Sequence, residues 1–216
     1  MEDNLINTFN NLQINDKDIK DTNINNSSSN NIPLKLKKLR NKGTGAGGSK
    51  TNKNGLSYES LTNLNTEYKI LYTNMHCNTI TFHQDINRKF IETKKANLFK
   101  YMDKYIDKKI PKASGCKQPD ECFIDEDRKN IFIIETKFQQ TTGSVCEKIQ
   151  TPDFKVWQYS RTFPSFKIIY IYCLSDWFKK NCKASIEYLN YKHIQVFYGS
   201  SSSYKYDIVK FILDYK

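Results

Sequence analysis

The chain has 216 residues, of which 34 are Lys or Arg and 23 are Asp or Glu, so its net charge at pH 7 is +11. This length fits one domain of ordinary size with a tail, and the charge favours an anionic partner, nucleic acid first. The charge alone fits a soluble basic protein equally well. No apolar run approaches the length of a membrane span, and the polar N-terminus lacks the apolar core of a signal peptide. We therefore expect an intracellular protein without membrane contact.

Residues 1–54 are predicted to form an N-terminal arm. Up to about Asn31 the arm consists mostly of Asn, Asp, Ser and Ile, which bury little surface, so we expect disorder. The following stretch, Lys35–Asn54, is rich in Lys and Gly but lacks the spacing of a phosphate-binding P-loop. Two interpretations remain open: a flexible basic linker, or an arm that follows DNA phosphates and orders on binding. The candidate DNA contacts in it are Lys42, Lys50 and Lys53.

A folded domain is expected over residues 55–216. Gly55 to Tyr68 should begin this domain, and Ser57 suits the N-cap of its first helix. Short strands are predicted at Tyr68–Tyr72 and Asn78–Phe82, followed by a long basic helix over Arg88–Lys108, where apolar residues recur at helical spacing.

The most informative stretch is a predicted β-hairpin at 119–138. Its strands are Pro119–Ile124 and Ile131–Phe138, joined by a polar turn. Both faces of the second strand are apolar up to Glu135, which is typical of a central strand covered on two sides. Glu135 and Lys137 extend one of these core-facing rows, where a carboxylate and an ammonium are costly unless they are paired or bound to a ligand.

The hairpin brings Asp120 opposite or diagonal to Glu135. Two converging carboxylates repel each other unless a cation lies between them, and oxygen ligands suit Mg²⁺, with Mn²⁺ as a substitute, rather than zinc. The Thr136 carbonyl could complete the ligand set. Lys137, on the same face, could orient or deprotonate a metal-bound water. These are the parts that metal-assisted phosphodiester hydrolysis requires.

Pro119-Asp120, followed after fourteen residues by Glu135-Thr136-Lys137, resembles the signature of the PD-(D/E)xK nuclease superfamily, type II restriction endonucleases most closely. The resemblance covers roughly the C-terminal three-quarters of the chain. It implies an α/β fold with a restriction-endonuclease-like αβββαβ core, in which helices flank a mixed central β-sheet. It also implies a Mg²⁺-dependent endonuclease that acts as a homodimer on double-stranded DNA, with Glu59 of the first helix as a further acid at the site.

Alternatives remain open at each level. Glu59 could simply place a favourable charge at a helix N-terminus. Glu135 and Lys137 could form a cross-strand pair on a solvated edge, with Asp120 in an ordinary Pro-Asp turn. At the level of function, the alternatives are a repair or structure-specific nuclease on the same scaffold and a non-catalytic DNA-binding protein.

Polar residues around the hairpin are candidate DNA contacts, although each could equally be a solvated surface residue. They are Lys112 and Lys117 before Asp120, Gln139 and Gln140 after Lys137, and Lys148. A helix is predicted from about Val145, with a break or restart at Pro152. The resemblance implies that this helix carries a polar residue that assists the site, for which the candidates are Lys148, Gln150 and Gln158. Trp157 and Tyr159 are expected in the core.

Two more strands are predicted in the remaining chain, at Ser165–Leu174 and His193–Tyr198, and helices are expected after each of them. Six cysteines are scattered without CxxC pairs. We expect all six to be reduced core residues of an intracellular protein.

Overall fold

Strands and helices alternate along most of the chain. The computed structural model describes residues 49–106, 111, 115–140 and 145–216. The strands are β1 (Tyr68–Thr73), β2 (Asn78–Phe82), β3 (Asp85–Thr93), β4 (Glu121–Asp125), β5 (Asn130–Lys137), β6 (Lys167–Leu174) and β7 (Gln195–Tyr198). The helices are α1 (Ser49–Thr62), α2 (Ala96–Tyr101), α3 (Val145–Lys148), α4 (Pro152–Thr162), α5 (Asp176–Asn181), α6 (Lys183–Tyr191) and α7 (Tyr204–Asp214), and α2 continues into a π-helical segment, Met102–Ile106.

Within the described residues, the strands form a single seven-stranded sheet in which spatial order follows chain order, from β1 to β7. Each pairing from β1 to β5 is antiparallel. The β5–β6 and β6–β7 pairings are parallel. Parallel neighbours need a crossover connection, which α3 and α4 supply before β6, and α5 and α6 before β7.

The sheet has an apolar core on each face. In β5, Ile131 and Ile133 belong to the core that includes residues of α2, α4, α5 and α6. Phe132 and Ile134 belong to the opposite core, which includes α7. Strand residues alternate between faces, so a strand covered on both sides needs apolar residues at every position. The prediction of an α/β fold with a mixed sheet flanked by helices is therefore confirmed.

The prediction of a helix over Arg88–Lys108 is wrong for its first part. Residues up to Thr93 belong to β3, which pairs with β2 on one side and β4 on the other. Phe90, Ile91, Glu92 and Thr93 are all buried, because both faces of the sheet are covered there. Helix begins only at Ala96.

Two further expectations need correction. The first helix begins at Ser49 and ends at Thr62, so Ser57 lies inside it and is not its N-cap. Trp157 is 53% exposed, whereas Tyr159 is 1% exposed and packs in the core as predicted. The predicted disordered segment up to Asn31 lies outside the described residues.

The cysteines divide into two groups. Cys146 and Cys182 form a disulfide, which contradicts the prediction that all six are reduced. Cys77, Cys116, Cys122 and Cys173 are buried thiols, as predicted. Spacing in the sequence did not indicate the pair, because its members lie 36 residues apart and meet only through the packing of α3 against the end of α5.

A search of the described helices finds none that combines the length and the apolar character needed to cross a membrane.

Candidate active site

The β4–β5 hairpin brings Asp120 to Glu135. Glu121 pairs with Ile134 at the open end of the hairpin, so Asp120, one residue earlier, falls opposite Glu135. The backbone N–H of Thr136 donates to Oδ2 of Asp120 at 2.9 Å. The register of the hairpin and this hydrogen bond therefore fix the Asp120 carboxylate beside the Glu135-Thr136-Lys137 segment.

Glu135 is held as a carboxylate by two lysines. Its Oε1 accepts hydrogen bonds from Lys137 Nζ at 2.5 Å and from Lys155 Nζ at 3.2 Å. Burial raises the pKa of Glu135, but the two ammonium groups together outweigh burial, and the pKa lies below its usual value. Glu135 is only 9% exposed, so its charge is compensated by these contacts rather than by water.

Asp120 has the opposite electrostatic environment. Burial raises its pKa to about 6, and the nearby charges of Glu135 and Glu59 act in the same direction. Lys137 and the N–H of Thr136 lower the pKa but do not cancel this effect. Repulsion among buried carboxylates is relieved either by a proton or by a cation. The protein therefore compensates the negative charge of Asp120 less well than that of Glu135, whose pKa is lowered.

Glu59 reaches the same region from α1. Its carboxylate is 30% exposed, and Oε1 lies 3.7 Å from Nζ of Lys95. A cavity of about 130 Å³ separates α1 from the hairpin, lined by Leu56, Glu59, Ser60, Asn63, Lys94, Asp120, Glu121 and Thr136. The structure thus places two of the predicted acids, Asp120 and Glu59, on one small cavity together with Thr136, and Glu135 directly precedes Thr136 in the chain.

Glu121 is a buried acid that the sequence did not single out. It is 5% exposed, accepts hydrogen bonds from the N–H of Leu64, and lies 3.6 Å from Nζ of Lys94. Burial raises its pKa to about 7. It follows Asp120 directly in the chain, and both acids line the cavity between α1 and the hairpin. The only signal in the sequence was the pair of adjacent acids at the start of a strand.

Lys155 is the second residue that the sequence did not identify. It is 9% exposed on α4, and besides Glu135 it donates to the Tyr170 hydroxyl at 3.0 Å. Burial lowers its pKa, and Glu135 opposes that effect. A signal was present: Lys155 lies four residues before Tyr159, so both share one face of the helix. Lysines on amphipathic helices are usually solvated, so the sequence alone favours an exposed Lys155.

The predicted helper residues on the following helix lie elsewhere. Gln150 donates through Nε2 to Ser185 Oγ at 3.1 Å, on the side toward α6. Lys148 is exposed on α3, and Gln158 is buried on α4. Lys155 is the described residue of α4 whose side chain hydrogen-bonds to Glu135.

The predicted DNA contacts are distributed over several elements. Gln139 is fixed by its backbone, because its N–H donates to Ser175 Oγ and its carbonyl accepts from the same hydroxyl, both at 3.1 Å. Gln140 and Lys117 are exposed. Lys50 and Lys53 lie on α1. Lys42 and Lys112 lie outside the described residues.

The donor set at this site is a pair of carboxylates and a carbonyl. A group of three His, Cys, Asp or Glu side chains close enough to hold a metal ion does not occur in the described part of the chain. Two carboxylates with one carbonyl suit Mg²⁺, which keeps several waters and binds through one or two carboxylates. The raised pKa of Asp120 fits such a cation, because a positive ion would relieve the repulsion that raises it.

Comparisons of the chain with protein-family models, with curated proteins and with solved structures find no significant match.

Proposed function

We propose that the protein is a Mg²⁺-dependent DNA endonuclease of the PD-(D/E)xK type, which hydrolyses phosphodiester bonds in double-stranded DNA. The observation that carries this proposal is the position of Asp120, hydrogen-bonded at 2.9 Å by the N–H of Thr136 and opposite Glu135 in the hairpin register. A carboxylate whose pKa is raised by burial and by neighbouring acids supports this assignment, because such groups are concentrated at functional sites.

The proposal assigns each residue of the site a separate chemical role. Asp120 and Glu135 would hold Mg²⁺, with the Thr136 carbonyl as a third donor and Glu59 as a further acid at the edge. When bound, the ion supplies an activated water and stabilises the leaving oxygen. In the structure Nζ of Lys137 hydrogen-bonds to two of these ligands, Glu135 Oε1 at 2.5 Å and the Thr136 carbonyl at 3.2 Å. With the ion bound, Lys137 would release both and turn to the attacking water or to the phosphate.

Lys155 has a positioning role in this proposal. Because it holds Oε1 of Glu135 from α4, Glu135 remains ionised and oriented after Lys137 moves away. Tyr170 in turn fixes Lys155 through its hydroxyl. A buried lysine held by two partners loses little further side-chain entropy when the site is used.

The element order supports the finer fold assignment. With β1, β2, α2 and α3 set aside as additions, helix α1, the antiparallel strands β3, β4 and β5, the crossover helix α4 and the parallel strand β6 give the αβββαβ order of the restriction-endonuclease core. Strands β1, β2 and β7 extend the sheet beyond that core. Cleavage of both strands at a palindromic site calls for a two-fold dimer, so we include a homodimer in the proposal.

DNA digestion tests the proposal. We expect purified chain with Mg²⁺ to cut supercoiled plasmid and long linear duplex DNA into discrete bands, and EDTA to abolish cutting. Lys137→Ala should slow cleavage about 100- to 10,000-fold, the usual contribution of a positioned acid–base group. Lys210→Ala is the matched control, because Lys210 is exposed on α7 and pairs with Asp214.

Other outcomes separate the alternatives. A Mg²⁺-dependent smear, or cleavage confined to flaps and junctions, would replace sequence-specific cutting with a repair-type activity. DNA that stays intact but shows a salt-sensitive mobility shift with both the natural chain and Lys137→Ala would refute the enzyme and leave a DNA-binding protein.

A further inference from the structure

A second cavity lies beside the proposed active site, at the carboxyl ends of the three parallel strands. Strands β5, β6 and β7 end at Lys137, Leu174 and Tyr198. The residues that follow each strand line an open cleft of about 440 Å³, here called the strand-end cleft, whose lining includes Phe138, Gln140, Asp176, Trp177 and Ser200 together with Tyr58 of α1.

The walls of the strand-end cleft are fixed by backbone contacts. The N–H of Ser175 donates to the Lys137 carbonyl at 3.1 Å, and the N–H of Gly199 donates to the Leu174 carbonyl at 3.1 Å. Tyr58 donates its hydroxyl to the same Leu174 carbonyl at 2.9 Å. These bonds join the three strand ends to α1, so the cleft is formed before any ligand arrives.

Gly199 is required for this arrangement. A Cβ at position 199 would lie 2.3 Å from the Tyr58 hydroxyl oxygen and 2.8 Å from Cγ2 of Thr62. Only glycine lets the Tyr58 ring approach the strand ends this closely. The ring then packs against Phe138, with 5.0 Å between the ring centroids, which adds a second aromatic surface to the wall.

The chemistry of the lining indicates a flat, neutral ligand with hydrogen-bond donors. Tyr58, Phe138 and Trp177 offer aromatic surface, while Gln140, Asp176 and Ser200 are polar. The described lining residues include no Lys or Arg, so a phosphate would lack a countercharge there. One carboxylate oxygen of Asp176 accepts from Ser200 Oγ at 2.6 Å, which leaves the other oxygen for a ligand donor.

We propose that the strand-end cleft binds a single nucleobase that carries an exocyclic amino group, next to the phosphate handled by Lys137; this assignment rests on the proposed nuclease function. The base stacks on the Trp177 side of the cleft, and its amino group donates to Asp176. Aspartate accepts from the N4 amino group of cytosine, whereas thymine presents a carbonyl at the same position. Stacking on an aromatic side chain tolerates every base, so Asp176 supplies the preference.

Tryptophan fluorescence tests the assignment, because the chain has two tryptophans, Trp157 and Trp177. Trp157 lies exposed on α4, and Trp177 lines the cleft. In EDTA, deoxycytidine 5′-monophosphate should quench the Trp157→Phe chain saturably and leave the Trp177→Phe chain unchanged. Thymidine 5′-monophosphate should bind about tenfold more weakly, the difference that one hydrogen bond to a charged group makes. Asp176→Asn should remove that difference.

Three results would overturn the assignment: equal quenching of both single-tryptophan chains, equal quenching by 2-deoxyribose 5-phosphate, or no quenching at all. Because EDTA excludes cleavage, the binding result is independent of catalysis. DNA cleavage without nucleotide-dependent quenching would refute only the base site. Quenching without DNA cleavage would refute the proposed nuclease function.

Discussion

Lys155 donates a hydrogen bond at 3.2 Å to the same oxygen of Glu135 that accepts from Lys137. The two lysines reach it from different elements, Lys137 from β5 and Lys155 from α4. The same carboxylate oxygen therefore has two cationic partners. Lys137 can move away, whereas Lys155 is held in place by its hydrogen bond to the Tyr170 hydroxyl.

Replacing Lys155 with methionine should shift the ionisation of Glu135. Lys155 lowers the pKa of Glu135, so its removal raises that pKa, and more alkaline conditions are needed to ionise the carboxylate. The acidic limb of the pH dependence of kcat/KM should move to higher pH, and Lys155→Arg should restore part of the shift. A ¹³C NMR titration of the Glu135 carboxyl gives the same comparison without catalysis. An unchanged Glu135 titration in Lys155→Met would contradict the positioning role.

Asp120→Asn should stabilise the protein in EDTA at neutral pH. The pKa of Asp120 is about 6 in the folded chain, above the value of about 3.9 for an unfolded aspartate. The folded state therefore binds the proton more tightly, and ionisation costs stability. That cost is absent below about pH 4, grows up to about pH 6 and is complete above it. We expect a gain of up to about 3 kcal/mol at neutral pH, measured by urea unfolding, that disappears near pH 4.

Mg²⁺ should stabilise the natural chain in a pH-dependent manner. The ion competes with the proton for Asp120, so the increase in Tm with millimolar Mg²⁺ should be larger near neutral pH than near pH 5. Asp120→Asn should lose most of the increase. KCl at equal ionic strength is the control for screening. If Mg²⁺ raises the Tm of Asp120→Asn as much as that of the natural chain, Asp120 is not a Mg²⁺ ligand.

The Cys146–Cys182 disulfide should contribute measurable stability. It closes a segment with a sequence separation of 36 residues, and a loop of this size adds about 2–4 kcal/mol to the free energy of unfolding. Cys146→Ser and the double variant Cys146→Ser/Cys182→Ser should lose similar amounts, because the first substitution already breaks the bond. A reducing agent should lower the free energy of unfolding of the natural chain to that of the variants and leave the stability of both variants unchanged. Additive losses would show that the two sulfurs are not bonded.

The β4–β5 hairpin could be predicted because its signal is local. Alternation, a polar turn and an unbroken apolar run up to Glu135 specify a central strand without reference to the rest of the chain. The same argument predicted Asp120 opposite or diagonal to Glu135, and in the structure Asp120 precedes the Glu121–Ile134 pair and accepts a hydrogen bond from the N–H of Thr136. Strand β2 was also predicted with its observed bounds, Asn78–Phe82.

The error at β3 has a physical reason. Phe90 and Ile91 are adjacent and buried on opposite faces of the sheet, and with Leu98 and Met102 of the next elements they imitate helical spacing. Spacing cannot separate a doubly buried strand from a buried helix segment when the run is short. Ile86, Ile91 and Thr93 are β-branched and were the better guide to a strand.

Lys155 and the disulfide could not be predicted for a different reason. Both depend on where α3, α4 and α5 dock on the sheet, and no local pattern encodes the distance from a helical lysine to a strand carboxylate. In isolation Lys155 matches the solvated lysines of other helices. Its burial is a property of the tertiary packing and becomes visible only with Glu135 beside it.

The order of the sheet has a consequence for how the protein folds. Within the described residues, each strand from β2 to β6 pairs with the strand that precedes it and the strand that follows it in the chain, so the sheet can grow by adding one neighbour at a time. Nearby pairings close short loops and favour rapid folding, whereas the parallel β5–β6 pairing must wait for its crossover. Asp120 and Glu135 therefore meet in a hairpin that can form early, and Lys155 arrives with the later step. Before α4 docks, the two acids face each other without their fixed cation, and the completed crossover is what makes the pair compatible with the native fold.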